Sequence, residues 1–121
     1  MRNYKNYEVW TESHKLVLFL YLDVVPILPG NEIYGLTNQM KRAAYSIPFN
    51  IAEGCGRNSD KDFTHFLDMS MGSVHELEYG ILLISDLHFI NQEQFQNLNK
   101  RINIIKAMLI NLIKSIRETK Q

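Results

Sequence analysis

The stretch from Phe95 to Ile116 constrains this chain most, because Phe95, Leu98, Ile102, Ile105, Leu109, Leu112 and Ile116 recur in alternating steps of three and four. A sustained seven-residue apolar repeat draws one apolar line along a helix, and that line must be covered by other helices. At about 1.5 Å per residue, a helix that begins after Asn91 and runs past Ile116 approaches 40 Å. Asn91, with Gln94 three residues on, supplies a capping box for its start.

The same spacing recurs upstream. Phe63, Leu67, Ser70, Val74, Leu77, Ile81 and Ile84 make the inward stripe of a third helix that Ser59 and Asp62 cap and that reaches about Leu87. A first helix runs from about Tyr7 to Val25 on Val9, Leu16, Leu20 and Val24, with Trp10 and Val17 beside them, and Pro26, Pro29 and Gly30 end it. A second runs from about Leu36 to Arg57. No period-two alternation is long enough for a strand. Long amphipathic helices joined by short links favour antiparallel neighbours, which predicts an all-α, up-down-up-down four-helix bundle. With 121 residues, 45% of them apolar, residues 1–121 form a single domain with its own core.

The second helix departs from a simple amphipathic pattern. On a wheel of about 100° per residue, Gln39, Arg42, Ser46, Asn50, Glu53 and Arg57 fall on one polar strip less than a quarter-turn wide. Leu36, Met40, Ala43, Ile47 and Ile51 lie on one side of it and Tyr45 and Phe49 on the other, leaving Lys41 and Pro48 to meet water. One bundle core covers one flank only, so the other calls for a second surface, most simply a copy of the same chain. The expected state is therefore a homo-oligomer. Enclosure would leave the charges of the strip in need of partners, which Arg42–Glu53 or Glu53–Arg57 contacts would supply. The strip reads either as a structural network at an oligomer interface or as a binding pocket.

Catalytic and metal-binding patterns are not evident, and the expectation is a non-enzyme with no cofactor and no metal. None of His14, His65, His75 and His88 follows a glutamate by three residues, as the Glu-x-x-His pairs of di-metal bundles require. Cys55, between Gly54 and Gly56, has no activating histidine suggested nearby and reads as a small packing residue. No glycine-rich phosphate loop occurs. A lone cysteine and the lack of an N-terminal secretion pattern predict a cytoplasmic protein. Apolar runs such as Leu16–Leu22 fall short of the roughly 20 residues that span a bilayer.

Thirteen basic and thirteen acidic side chains cancel, so the distribution of charge matters more than the sum. Residues 99–121 hold Lys100, Arg101, Lys106, Lys114, Arg117 and Lys120 against Glu118 alone. Residues 60–87 hold Asp60, Asp62, Asp68, Glu76, Glu78 and Asp86 against Lys61. The two longest helices thus attract each other or present opposite charge outward. In the outward case Lys100, Lys106, Lys114 and Arg117 are candidate phosphate contacts.

The segments Gly35-Leu-Thr-Asn-Gln39, Arg42-Ala-Ala-Tyr-Ser46-Ile-Pro48 and Asn50-Ile-Ala-Glu-Gly54, followed by Arg57, resemble the four-helix bundle proteins encoded in bacterial 23S ribosomal RNA intervening sequences, also called S23 ribosomal protein-like. Val9-Trp10, Phe66-Leu67 and Gly72-Ser73 with Glu76-Leu77 extend the resemblance over nearly the whole chain. It implies a cytoplasmic, ring-like homopentamer without enzymatic activity that binds structured RNA. A second reading follows from the similar fold of retroelement reverse-transcriptase accessory proteins, which implies a scaffold for a protein partner.

Overall fold

The computed structural model describes residues 2–118, and each of its four long helices traces to a signal in the sequence. Four long helices, α1 (Glu8–Phe19), α2 (Leu36–Cys55), α3 (Asp60–Asp86) and α4 (Gln92–Glu118), make up the bundle, and no strand occurs among the described residues. Each helix packs on its two neighbours in the cycle α1–α2–α3–α4–α1, as an up-down-up-down bundle requires. Lys120, counted above with the basic tail, lies outside the described residues.

All seven stripe positions of α3, from Phe63 to Ile84, are buried. On α4, Leu98, Ile102, Ile105 and Leu109 are buried, but further along Ile113 is buried and Leu112 only partly so. A helix of 3.6 residues per turn drifts about 20° per heptad against a strict 3.5 repeat, which carries the line of contact from position 112 toward 113.

The caps form as the sequence predicts. The Gln94 amide donates to Asn91 Oδ1 at 2.8 Å while the Asn91 amide donates to Gln94 Oε1 at 2.7 Å, closing a reciprocal box. Ser59 Oγ accepts from the Asp62 amide at 3.1 Å. One cap is not evident from the sequence: Glu32, in a 3₁₀ turn (Gly30–Glu32), accepts from the Leu36 amide at 3.2 Å and so starts α2 behind the side-chain-free Gly35.

Two boundaries differ from expectation. The first helix does not stay regular to Val25: after Phe19 it widens into a π turn (Leu20–Val24) and then tightens into a 3₁₀ turn (Val25–Ile27). Pro26 has no amide hydrogen and would crowd the carbonyl four residues back, and the Val25 amide bonds Leu20, five residues back. The second helix ends at Cys55 rather than Arg57, with Gly56 as its C-cap.

Helices α2 and α3 approach closely because glycines remove side chains between them. A Cβ on Gly54 would lie 2.9 Å from Phe66 Cβ and 3.2 Å from the Phe63 carbonyl, and one on Gly80 would lie 2.9 Å from Met40 Cγ. Between these two points the buried Ser70 hydroxyl donates to the Ile47 carbonyl at 2.8 Å. The N-terminal residues lie across this end of the bundle: Arg2 pairs with Asp60, donates to the Arg57 carbonyl at 3.3 Å and stands 4.3 Å over the Phe63 ring.

Candidate functional site: the outward face of helix 2

Placing α2 between α1 and α3 turns Met40, Ala43, Ala44, Ile47 and Ile51 into the core and leaves the opposite side of the helix open. Pro48, expected to meet water, is buried instead, because α1 packs against that flank. Lys41, also expected in water, is half-buried with its ammonium 4.9 Å over the Tyr21 ring. Burial holds the Tyr21 hydroxyl above its ordinary pKa, and Tyr45 adds to the rise.

The polar strip is open within one chain: Gln39, Arg42, Glu53 and Arg57 are exposed, and Ser46 and Asn50 are half-buried. Its contacts are local and do not join into a single network. Arg57 Nη2 donates to Glu53 Oε1 at 3.0 Å, Asn50 Nδ2 donates to the Ser46 carbonyl at 2.9 Å, and Gln39 donates to Glu76 on α3. Arg57 also lies 4.8 Å over the Phe66 ring. Of the two expected ion pairs, Glu53–Arg57 forms and Arg42–Glu53 does not. Eleven residues separate Arg42 from Glu53, a rise of about 16 Å, beyond a direct contact on one helix. Arg42 has no ion-pair partner among the described residues.

Beside the strip stand two exposed aromatic rings. Tyr45 is 36% exposed and Phe49 69%, packed edge-to-face with centroids 5.8 Å apart. They form one wall of an apolar groove of about 270 Å³ whose floor includes Pro48 and Ala52 and whose other wall is Tyr4, Trp10, His14 and Val17. Within that wall His14 stacks on Trp10 at 5.0 Å and Tyr4 meets the Trp10 edge at 4.8 Å. Helical spacing alone does not reveal this groove, because Tyr4 precedes α1 and reaches it only through a 3₁₀ turn (Tyr4–Asn6).

The four candidate phosphate contacts on α4 divide into two kinds. Lys106 Nζ donates to Glu78 at 2.6 Å and Arg117 Nη2 to Asp68 at 2.6 Å, so the oppositely charged α3 and α4 attract each other at these two points. Lys114 stands a loose 4.0 Å from Glu118, and Lys100 is exposed without an ion pair among the described residues. Arg101 is drawn over the Phe19 ring at 4.3 Å.

The other chemistry-bearing residues are set apart from one another. Cys55 is fully buried, and burial pushes its thiol up while nearby Arg2 acts in the opposite direction. The four histidines belong to no cluster of three or more metal-ligating side chains among the described residues. No described helix is long and apolar enough to cross a membrane.

These features define a class: an up-down four-helix bundle with a mixed aromatic and charged surface on its second helix. Residues 5–111 match the model of one such family, described as 23S rRNA-intervening sequence protein. The chain belongs to that family. A solved structure of similar fold is a protein of unknown function from the S23 ribosomal protein family of Bacteroides thetaiotaomicron, with a TM-score of 0.79 and 27% sequence identity. The match covers 88% of this chain and 98% of that one. No curated protein matches the chain.

Proposed function

We propose that this protein is a non-catalytic assembly module: copies join through the outward face of α2 into a ring-like homo-oligomer, a pentamer on the family resemblance, which then presents repeated cations to structured RNA in the cytoplasm. The observation that carries the reading is the exposed Phe49 and Tyr45 pair beside Arg42, which has no ion-pair partner among the described residues. An aromatic left in water gives up stabilisation of about 1.5–3 kcal/mol that burial against a second copy would return. Lys100 and Lys114, neither held by α3, are the cations of α4 that a ring would multiply.

Light scattering coupled to gel filtration tests assembly, with five times the 14.2 kDa chain mass expected. Titration with a structured RNA at low and moderate salt then tests binding, because log affinity falls with log salt more steeply by about 0.7–0.9 for each phosphate neutralised. A monomer refutes the assembly reading. A second reading, a scaffold for a protein partner, draws support from Lys106–Glu78 and Arg117–Asp68, which neutralise half of the candidate phosphate contacts. An oligomer indifferent to RNA at every salt concentration favours it.

A further inference from the structure

We infer that the copies join head to tail: the line of α2 that carries Arg42 and Phe49 seats on the groove between α1 and α4 of the next copy, where Asp23 takes Arg42. The inference rests on the assembly reading and names the second of the two faces that a ring needs. One face meeting its own copy makes a two-fold contact that closes at two chains, whereas two different faces repeat from copy to copy and can close into a ring. Arg42 and Phe49 lie seven apart, so they point outward along one line of α2 to within about 20°. The groove, of about 310 Å³, is lined by Leu18, Phe19, Leu22 and Asp23 together with Lys15 and Arg101. Leu22 is 71% exposed and Leu18 45%, so it offers apolar surface to the Tyr45 and Phe49 rings.

Charge and level select this groove. Arg42 and Asp23 are both exposed, and neither has an ion pair among the described residues. Arg101, the cation that shares the groove with Asp23, donates instead to Asn97 at 3.0 Å and lies over the Phe19 ring. A ring whose axis runs along the bundles keeps every residue at its own level from one copy to the next. Lys41 over Tyr21 sets those two positions level, and α1 and α2 run in opposite directions, so Asp23 stands about 4–5 Å along the bundle from Arg42, within a side chain's reach. The same register brings Leu18 level with Tyr45. Asp86, an exposed acid near Leu82 and Leu87 at the end of α3, has similar chemistry but lies about 12 Å beyond the level of Arg42, because Gly80 already faces Met40. Covering the rings would strip water from the Arg42 guanidinium, and the Asp23 carboxylate answers that need.

Charge reversal and a block of the groove test the contact. Arg42→Asp and Asp23→Arg, each made alone, place like charges across it and are expected to weaken self-association at least about 100-fold by dilution light scattering or sedimentation. The double variant Arg42→Asp/Asp23→Arg restores the pair with its ends exchanged and is expected to recover to within about tenfold of the parent. Leu22→Arg leaves α2 untouched and sets a cation opposite Arg42, so it is expected to weaken association as much as either reversal; a two-fold contact through α2 alone would not feel it. All three positions are exposed, so circular dichroism and thermal melting should find each variant folded. A parent that assembles, with Leu22→Arg associating as tightly as the parent or with a double variant no better than the worse single one, overturns the head-to-tail contact while leaving the assembly reading intact. A parent that stays monomeric overturns both.

Discussion

Substituting alanine at Gly54 and at Gly72 makes the same chemical change on two helices with opposite expected outcomes. At Gly72, on the exposed side of α3, an added Cβ meets nothing within 4 Å, so the change only removes the flexibility of glycine and should stabilise by about 0.5–1 kcal/mol. At Gly54 the same atom would lie 2.9 Å from Phe66 Cβ, 3.0 Å from Phe63 Cδ1 and 3.2 Å from the Phe63 carbonyl. Two of these are backbone or next to it, so α3 itself must retreat by a few tenths of an ångström. The retreat strains the neighbouring Ser70–Ile47 hydrogen bond and loosens the packing of Phe63. Overpacking of this kind costs about 1–3 kcal/mol, and the helix-propensity gain near the end of α2 offsets less than about 1. The net expectation is a loss of about 1–2 kcal/mol, or roughly 3–8 °C in melting temperature for a chain of this size. Urea melts at one fixed protein concentration, which holds any contribution of self-association constant, give the two values side by side. Gly54→Ala as stable as the parent would refute close helix approach as the reason for glycine there.

Three other outcomes follow from single contacts. His88 closes α3 with φ 62°, its amide bonded to Ser85 and that of Phe89 to Ile84, a Schellman ending in which glycine is the unstrained residue; His88→Gly should stabilise by about 0.5–1 kcal/mol in the same urea assay. Asn91→Ala removes one half of the capping box of α4 and should cost about 1 kcal/mol, with little loss expected from Asn91→Asp. Cys55 is fully buried with its thiol pKa raised by burial, so a thiol reagent at neutral pH should label native protein far more slowly than urea-unfolded protein; equal rates would refute the buried placement.

How much of this was legible in the sequence depended on how far apart the interacting residues lie. The stripes of α3 and α4 are periodic within one helix, and the caps at Ser59 and Asn91 act over three residues, so both could be read directly from spacing. The π turn at Leu20–Val24 could not, because Pro26 allows a helix to end, to kink or to widen, and packing selects among them. Pro48 likewise sat on a flank whose neighbour, α1, was not assigned by the wheel. The polar strip of α2 was visible as a pattern and so was its Glu53–Arg57 pair, four residues apart, but the partner of Gln39 was not, because Glu76 comes from another helix. The opposite charges of α3 and α4 allowed attraction or separate display, and Lys106–Glu78 and Arg117–Asp68 decide for attraction at those sites.

Helix 2 is where local and global requirements diverge. Its inner side meets every condition of a bundle helix, with Met40, Ala44, Ile47 and Ile51 almost free of solvent, and glycine at position 54 for close approach to α3. Its outer side departs from that pattern, as single exposed side chains such as Tyr79 on α3 and Ile110 on α4 also do. Two large rings face water side by side, Arg42 has no ion-pair partner among the described residues, and a groove between α1 and α2 stays open. In a sequence otherwise consistent from cap to core, such a conflict is one that the proposed self-assembly would resolve. The α4 face contrasts with it, because two of its four candidate cations are already answered by α3. The line from Arg42 through Phe49 to Glu53 is thus the part of α2 that the proposed assembly would cover, with one charge of each sign around a patch of aromatic surface.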